Sequence, residues 1–188
     1  MKIFVILILL SSSLFYTRLS FADTNWSLYY SPTQVILLTN KLSIERKLKN
    51  NQSIVISASK GVMDLDLLAS EIEYHSKHLG IQYIYYQGKN FKKGSQVGIE
   101  IGGMKVDKKI ADRFYSRNKA EEKWNVLIFG PFYGYKVVFD AGLTMNAQLG
   151  LFYIYRDEEI YDSQNIESRS NTNKYLFPMV NIGIGWSF

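Results

Sequence analysis

Residues 175–188, the last fourteen of the chain, read YLFPMVNIGIGWSF and constrain the fold more than any other stretch. From Leu176 onward the even positions are Leu176, Pro178, Val180, Ile182, Ile184, Trp186 and Phe188. The odd positions are Phe177, Met179, Asn181, Gly183, Gly185 and Ser187. Successive side chains of a strand point to opposite faces, so one face of this segment is apolar throughout and the other is mostly small or polar. Two settings admit such a strand. One is a soluble sandwich with one buried face, and the other is a barrel wall with lipid outside and a polar interior.

The other end of the chain reads as an export signal. Lys2 supplies a positive start, residues 3–10 (IFVILILL) an apolar run, and Ser20 and Ala22 the small residues that a signal peptidase requires. Residues 1–22 are therefore expected to be a Sec-type signal peptide, cleaved after Ala22. The run falls short of the ~20 residues of a spanning helix, and no other long apolar run follows. A chain without such a helix can still cross a membrane as a closed barrel, because closure pairs every backbone group. The 188 residues suit one domain, and the absence of Cys removes disulfides, thiolate catalysis and Cys-based metal sites. The net charge of +5 drops to +3 once Lys2 and Arg18 are removed. No basic block carries interleaved stacking aromatics, so nucleic-acid binding has no support.

Eight strand-like segments follow: 34–47, 52–60, 68–76, 79–87, 95–105, 124–139, 143–155 and 175–188. Residues 23–33 read as a short periplasmic segment ahead of them. Lys77-His78 reads as a tight turn between the third and fourth segments. Within 124–139 the apolar parity switches, which a bulge at Gly130-Pro131 would reconcile. Residues 105–123 and 156–174 are charged, lose the alternation and read as long loops. An even count, segments near the ~9–11 residues of a tilted membrane strand, and two long loops of equal parity agree on one fold. It is an all-β, eight-stranded antiparallel up-and-down transmembrane β-barrel over 34–188, with periplasmic termini and long loops outside. Tyr74, Tyr83, Tyr85, Tyr153, Tyr155, Trp186 and Phe188 fall near segment ends, as interfacial girdles require.

Residues 42–47 (LSIERK) and 131–137 (PFYGYKV), Leu149-Gly150-Leu151 and the GIGWSF ending at 183–188 carry a family likeness. They resemble small bacterial outer-membrane barrels of uncharacterised function, related in architecture to the outer membrane protein A, X and W folds. The resemblance covers essentially the whole mature chain. It implies an outer-membrane location and contact with outer-membrane lipids and lipopolysaccharide or an equivalent glycolipid. It also implies that Trp186 and Phe188 form the assembly signal read by the barrel-assembly machinery, and that exposed loops meet any host or extracellular ligand.

With apolar positions outward, Lys41, Glu45, Glu71, Glu73, His75, Glu100 and Lys136 gather in the lumen. Gln82, Gln96, Asn146, Gln148 and Asn181 complete a polar interior. An eight-stranded barrel is only wide enough for its own side chains, and buried charges need partners. A salt-bridged plug is expected, with Lys41 and Glu100 meeting across the interior. The function that follows is a structural or surface-interaction protein, for adhesion or host contact. A lipid A-modifying enzyme of the deacylase kind is the alternative, and it would need His and Ser one residue apart on one strand face. His75 and Ser76 are adjacent, whereas Ser76 and His78 have the spacing but fall in the turn. A narrow channel for small molecules is a further alternative, opposed by the Glu and Lys of the lumen. Glu71, Glu73 and His75 could ligate a metal, but one His among carboxylates better suits a hydrogen-bonded network. No catalytic residue, metal or cofactor is assigned.

Overall fold

The computed structural model describes residues 25–34, 39–49, 51–66, 70–88, 91–112, 119–161 and 167–188. The expected signal peptide lies outside them. Eight strands run β1 (Trp26–Gln34), β2 (Thr39–Lys49), β3 (Gln52–Asp66), β4 (Ser70–Tyr86), β5 (Lys93–Asp112), β6 (Lys119–Val138), β7 (Leu143–Tyr161) and β8 (Glu167–Ser187). Each pairs antiparallel with its sequence neighbour, and β1 returns to β8 to close the ring. The closing seam is the shortest ladder, running only from Ser27↔Ser187 to Tyr30↔Ile184.

The polarity of this ring is inverted relative to a soluble domain. Among the described residues, 29 large hydrophobic side chains are exposed, and they form a belt around the outer wall. The buried set holds 18 polar or charged side chains against 12 hydrophobic ones. Soluble monomers do not expose contiguous apolar surface on that scale.

Two ends of the barrel differ. At the end where Asn25 meets Phe188 the connections are tight. Asn51 turns β2 into β3, and residues 139–142 turn β6 into β7. In the second turn Gly142 donates its N–H to the Phe139 carbonyl at 2.8 Å with a φ of 87°. A Cβ there would lie 2.8 Å from the Ser187 carbonyl oxygen, so glycine is needed on both counts. At the opposite end β5 to β8 run 19 to 21 residues each, about twice what a tilted crossing requires.

Several sequence expectations are corrected by these strands. Residues 23–33 were expected as a segment ahead of the barrel, but β1 occupies Trp26–Gln34. Its inward Ser27, Tyr29 and Ser31 and outward Trp26, Leu28 and Tyr30 alternate in size and polarity less starkly than later strands. The segment expected at 34–47 corresponds to β2, which begins at Thr39. The Lys77-His78 turn does not exist, because β4 runs unbroken through it and merges the segments 68–76 and 79–87. Nor is there a bulge at Gly130-Pro131, since the β5–β6 register passes through Glu100↔Gly130 and Ile99↔Pro131 without a shift. The long loops 105–123 and 156–174 are mostly strand, with connections only at 113–118 and 162–166, outside the described residues.

One physical cause underlies most of these differences. Within the belt the outward positions are apolar: Leu79, Ile81, Tyr83 and Tyr85 on β4, and Leu127, Phe129, Tyr133 and Tyr135 on β6. Beyond the belt the apolar positions turn inward. Met104, Val106 and Val126 are buried toward that end, with Tyr74 and Trp124 packed against the same cluster. Hydrophobic parity therefore inverts along a straight strand where its outer surroundings change, imitating a turn or a bulge.

Candidate functional site

The interior is stacked in tiers, and the tier nearest the termini is ionic. Glu45 on β2 and Lys136 on β6 are both buried, with Lys136 Nζ 2.9 Å from Glu45 Oε2. Lys136 also donates to Ser27 Oγ at 3.0 Å. The remaining acceptor capacity of Glu45 is filled by hydroxyl donors from Tyr29, Ser53 and Tyr86. Ser187 links the tier to the seam, 2.7 Å from Ser27 Oγ and 2.6 Å from Thr144 Oγ1. Phe91, in the connection between β4 and β5, folds under the barrel mouth and is 3% exposed. Its ring centroid lies 3.4 Å from Lys136 Nζ, and it stacks edge-on against Tyr86 at 5.5 Å. This is a cation held by one carboxylate and capped by an aromatic face, with water excluded.

Farther up, Lys41 on β2 reaches Glu100 Oε1 on β5 at 3.1 Å, and both are buried. Gln82 donates to the other oxygen of Glu100 at 2.7 Å. Asn181 donates to Gln148 at 3.0 Å, and Gln96 donates to Asn146. His78 also points inward and is 6% exposed. Two glycines make its slot: a Cβ on Gly80 would lie 2.8 Å from His78 Cε1, and one on Gly102 would lie 2.6 Å from Nε2. Its Nδ1 has no hydrogen-bond partner among the described residues.

The buried apolar side chains form one cluster, in which Phe132, Phe152, Ile154, Met104, Val106 and Val126 join Val55, Ile84, Tyr86 and Phe91. A last ionic group caps it. Lys108 sits 3.0 Å from Glu122 and faces the rings of Tyr74 and Trp124. Arg156 pairs with Glu158 at 3.1 Å and stacks over Trp124, whose Nε1 donates to the same Glu158 at 3.2 Å.

Of the residues expected in the lumen, Lys41, Glu45, Glu100 and Lys136 are inside, joined as two separate pairs. Glu73 and His75 are not. They lie on the outward face of β4 beyond the belt, and His75 Nε2 donates to Glu73 Oε1 at 2.6 Å. That hydrogen bond holds the solvent-facing Glu73 carboxyl below its ordinary range. The side chain of Glu71 lies outside the described residues. Ser76 and His78, which the supposed turn removed from consideration, both face inward, but no hydrogen bond joins them among the described residues. No group of three or more His, Asp or Glu that could hold a metal occurs there either. Trp186 and Phe188 sit at the seam. The Phe188 N–H donates to the Trp26 carbonyl at 2.9 Å, and its own carbonyl accepts from Asn25 and Trp26 at 3.1 and 2.9 Å.

Sequence reasoning missed His78 and Phe91. Gly80 and Gly102, small residues at adjacent register positions, mark the slot for the histidine. Phe91 carries no comparable mark, since it lies in a connection with no periodicity.

Fold and interior together define a closed eight-stranded up-and-down barrel with a self-paired polar lumen. No family model and no curated protein matches the chain. Among solved structures it is similar to a major outer membrane protein from Thermus thermophilus, at 10% identity and a TM-score of 0.59, over 88% of this chain and all of that one. At that identity the likeness concerns the fold.

Proposed function

We propose that this chain is an integral outer-membrane β-barrel with a shut lumen, acting as a structural or surface-interaction protein through the end remote from its termini. The observation that carries this reading is the inverted polarity: a continuous apolar belt outside and two fully buried ion pairs inside. Lipid is the medium that makes such an exterior favourable, and closure leaves no unpaired strand edge to it. The Lys41–Glu100 and Lys136–Glu45 pairs lie buried in the lumen, and Phe91 packs over Lys136. They support a plug rather than a conduit or a reaction chamber. Trp186 and Phe188, at the final strand and the closing seam, are suited to a role in assembly.

The test is reconstitution into phosphatidylcholine bilayers. The folded form should insert, migrate differently on gels before and after heating, and conduct no steady ion current. A steady current from the unmodified protein would overturn the closed-plug reading, and turnover of lipid A would overturn the non-enzymatic one.

A further inference from the structure

On the outer wall Lys60 on β3, Lys77 on β4 and Lys105 on β5 are consecutive register partners, Lys60↔Lys77 and Lys77↔Lys105. All three point outward and are exposed. Like charges directly opposite across strands repel, so a row of three needs a compensating anion. Among the described residues no carboxylate lies within ion-pair distance of any of them. Asp107, the next outward residue on β5, and Asp157 on β7 are the nearest acidic positions in the register, and Asp157 already accepts from Thr172 at 2.8 Å.

The row marks the edge of the belt. On the side toward the termini the next outward positions are Ala58, Leu79 and Gly103, then Ile56, Ile81 and Ile101. On the other side they are Val62, His75 and Asp107. Gly103 leaves a hole in the wall, because a Cβ there would find nothing closer than the Val126 carbonyl oxygen at 4.0 Å. An open groove of about 540 Å³ occupies this place, running from Lys77 and Lys105 past Leu79, Gly103 and Leu127 to Tyr155, with Asp157 the one carboxylate in its lining. Lys77 and Lys105 thus belong to the lining of a groove that is otherwise mostly apolar.

We propose that this row and groove form a site for a phosphorylated glycolipid of the outer leaflet. Its phosphate would bridge the lysine ammonium groups, and one acyl chain would lie in the groove over Gly103. Charge complementarity selects an anionic head, and the continuity of groove with belt selects a lipid over a free phosphate. The inference rests on the outer-membrane reading, which places the far end of the strands outside the cell.

Bisphosphorylated lipid A in phosphatidylcholine vesicles is the probe, with dephosphorylated lipid A and phosphatidylglycerol as comparisons. Binding is read as an apparent Kd from lipid retained per folded protein. Bisphosphorylated lipid A should bind tighter than either comparison. A surface lysine contributes roughly a fivefold factor, so K60Q/K77Q/K105Q should weaken binding on the order of a hundredfold. Gly103→Leu, which meets open space and should leave the fold intact, should weaken it as well by filling the groove. Insertion with equal binding of phosphatidylglycerol, or unchanged binding by both variants, overturns the lipid site alone and leaves ordinary interfacial lysines. Failure of the unmodified protein to insert overturns the membrane reading and the site together.

Discussion

Lys41 and Glu100 show how a single pair can decide whether this barrel stays shut. Each is almost completely buried, and Gln82 satisfies the carboxylate oxygen that the lysine leaves free. An ammonium and a carboxylate taken out of water repay their desolvation only while they face each other. Leaving one unpaired costs about 3–5 kcal/mol, whereas replacing both by apolar groups of similar size is often neutral. Lys41→Met and Glu100→Gln should therefore each lower the urea midpoint of the folded barrel, and the double variant should recover part of the loss. The check is a double-mutant cycle, with a coupling above about 1 kcal/mol expected for groups in direct contact. Strictly additive losses would mean the two residues are stabilised by other neighbours. Lys136 and Glu45 form a second such pair, but four hydroxyl groups and an aromatic ring share their stabilisation. The simpler Lys41 pair is the cleaner test.

At the scale of the strand, the alternation rule worked wherever lipid-facing surroundings held constant and failed where they changed. Strand β8 alternates over its whole terminal half, and Lys41, Glu45, Glu100 and Lys136 could be placed inside because they sit at belt height. Glu73 and His75 were assigned to the wrong face because beyond the belt the polar side is the outer one. The same inversion cut β4 in two, and the modest alternation of β1 hid that strand. These two errors offset each other, so the expected count of eight agrees with the ring although its first four members were misplaced. The tall hairpins of β5 to β8 were illegible for a related reason: there a charged pair such as Lys108–Glu122, at 3.0 Å between register partners, joins strands without apolar periodicity. The seam carries its own expectation. With β1 and β8 joined over so few pairs, the backbone bonds of Phe188 to Asn25 and Trp26 are a large share of closure. Deleting Phe188 should reduce the heat-modifiable folded form in outer membranes and leave unfolded chain for periplasmic proteases. Unchanged folded levels would show that closure and assembly proceed without it.

For the molecule as a whole, the two unequal ends set an orientation. The start of β1, the end of β8 and the tight turns at Asn51 and 139–142 share one end, while the long hairpins of β5 to β8 project from the other. Small outer-membrane barrels keep short turns in the periplasm and long connections outside. On the outer-membrane reading proposed above, the β5–β6 and β7–β8 hairpins would then point out of the cell, and the turns at Asn51 and near Phe91 into the periplasm. Trypsin added to intact cells should cut at Arg113 or Arg117, in the connection between β5 and β6, and spare Lys49 and Lys89. Opening the outer membrane should expose the second set only if the tight turns admit the protease, so the informative comparison is which fragments appear in intact cells. Fragments ending at Arg113 or Arg117, with their C-terminal partners still embedded, support the orientation. Cleavage at Lys49 or Lys89 in intact cells, with Arg113 and Arg117 protected, would require the barrel to sit the other way up and would move the lysine row from the outer leaflet to the inner one.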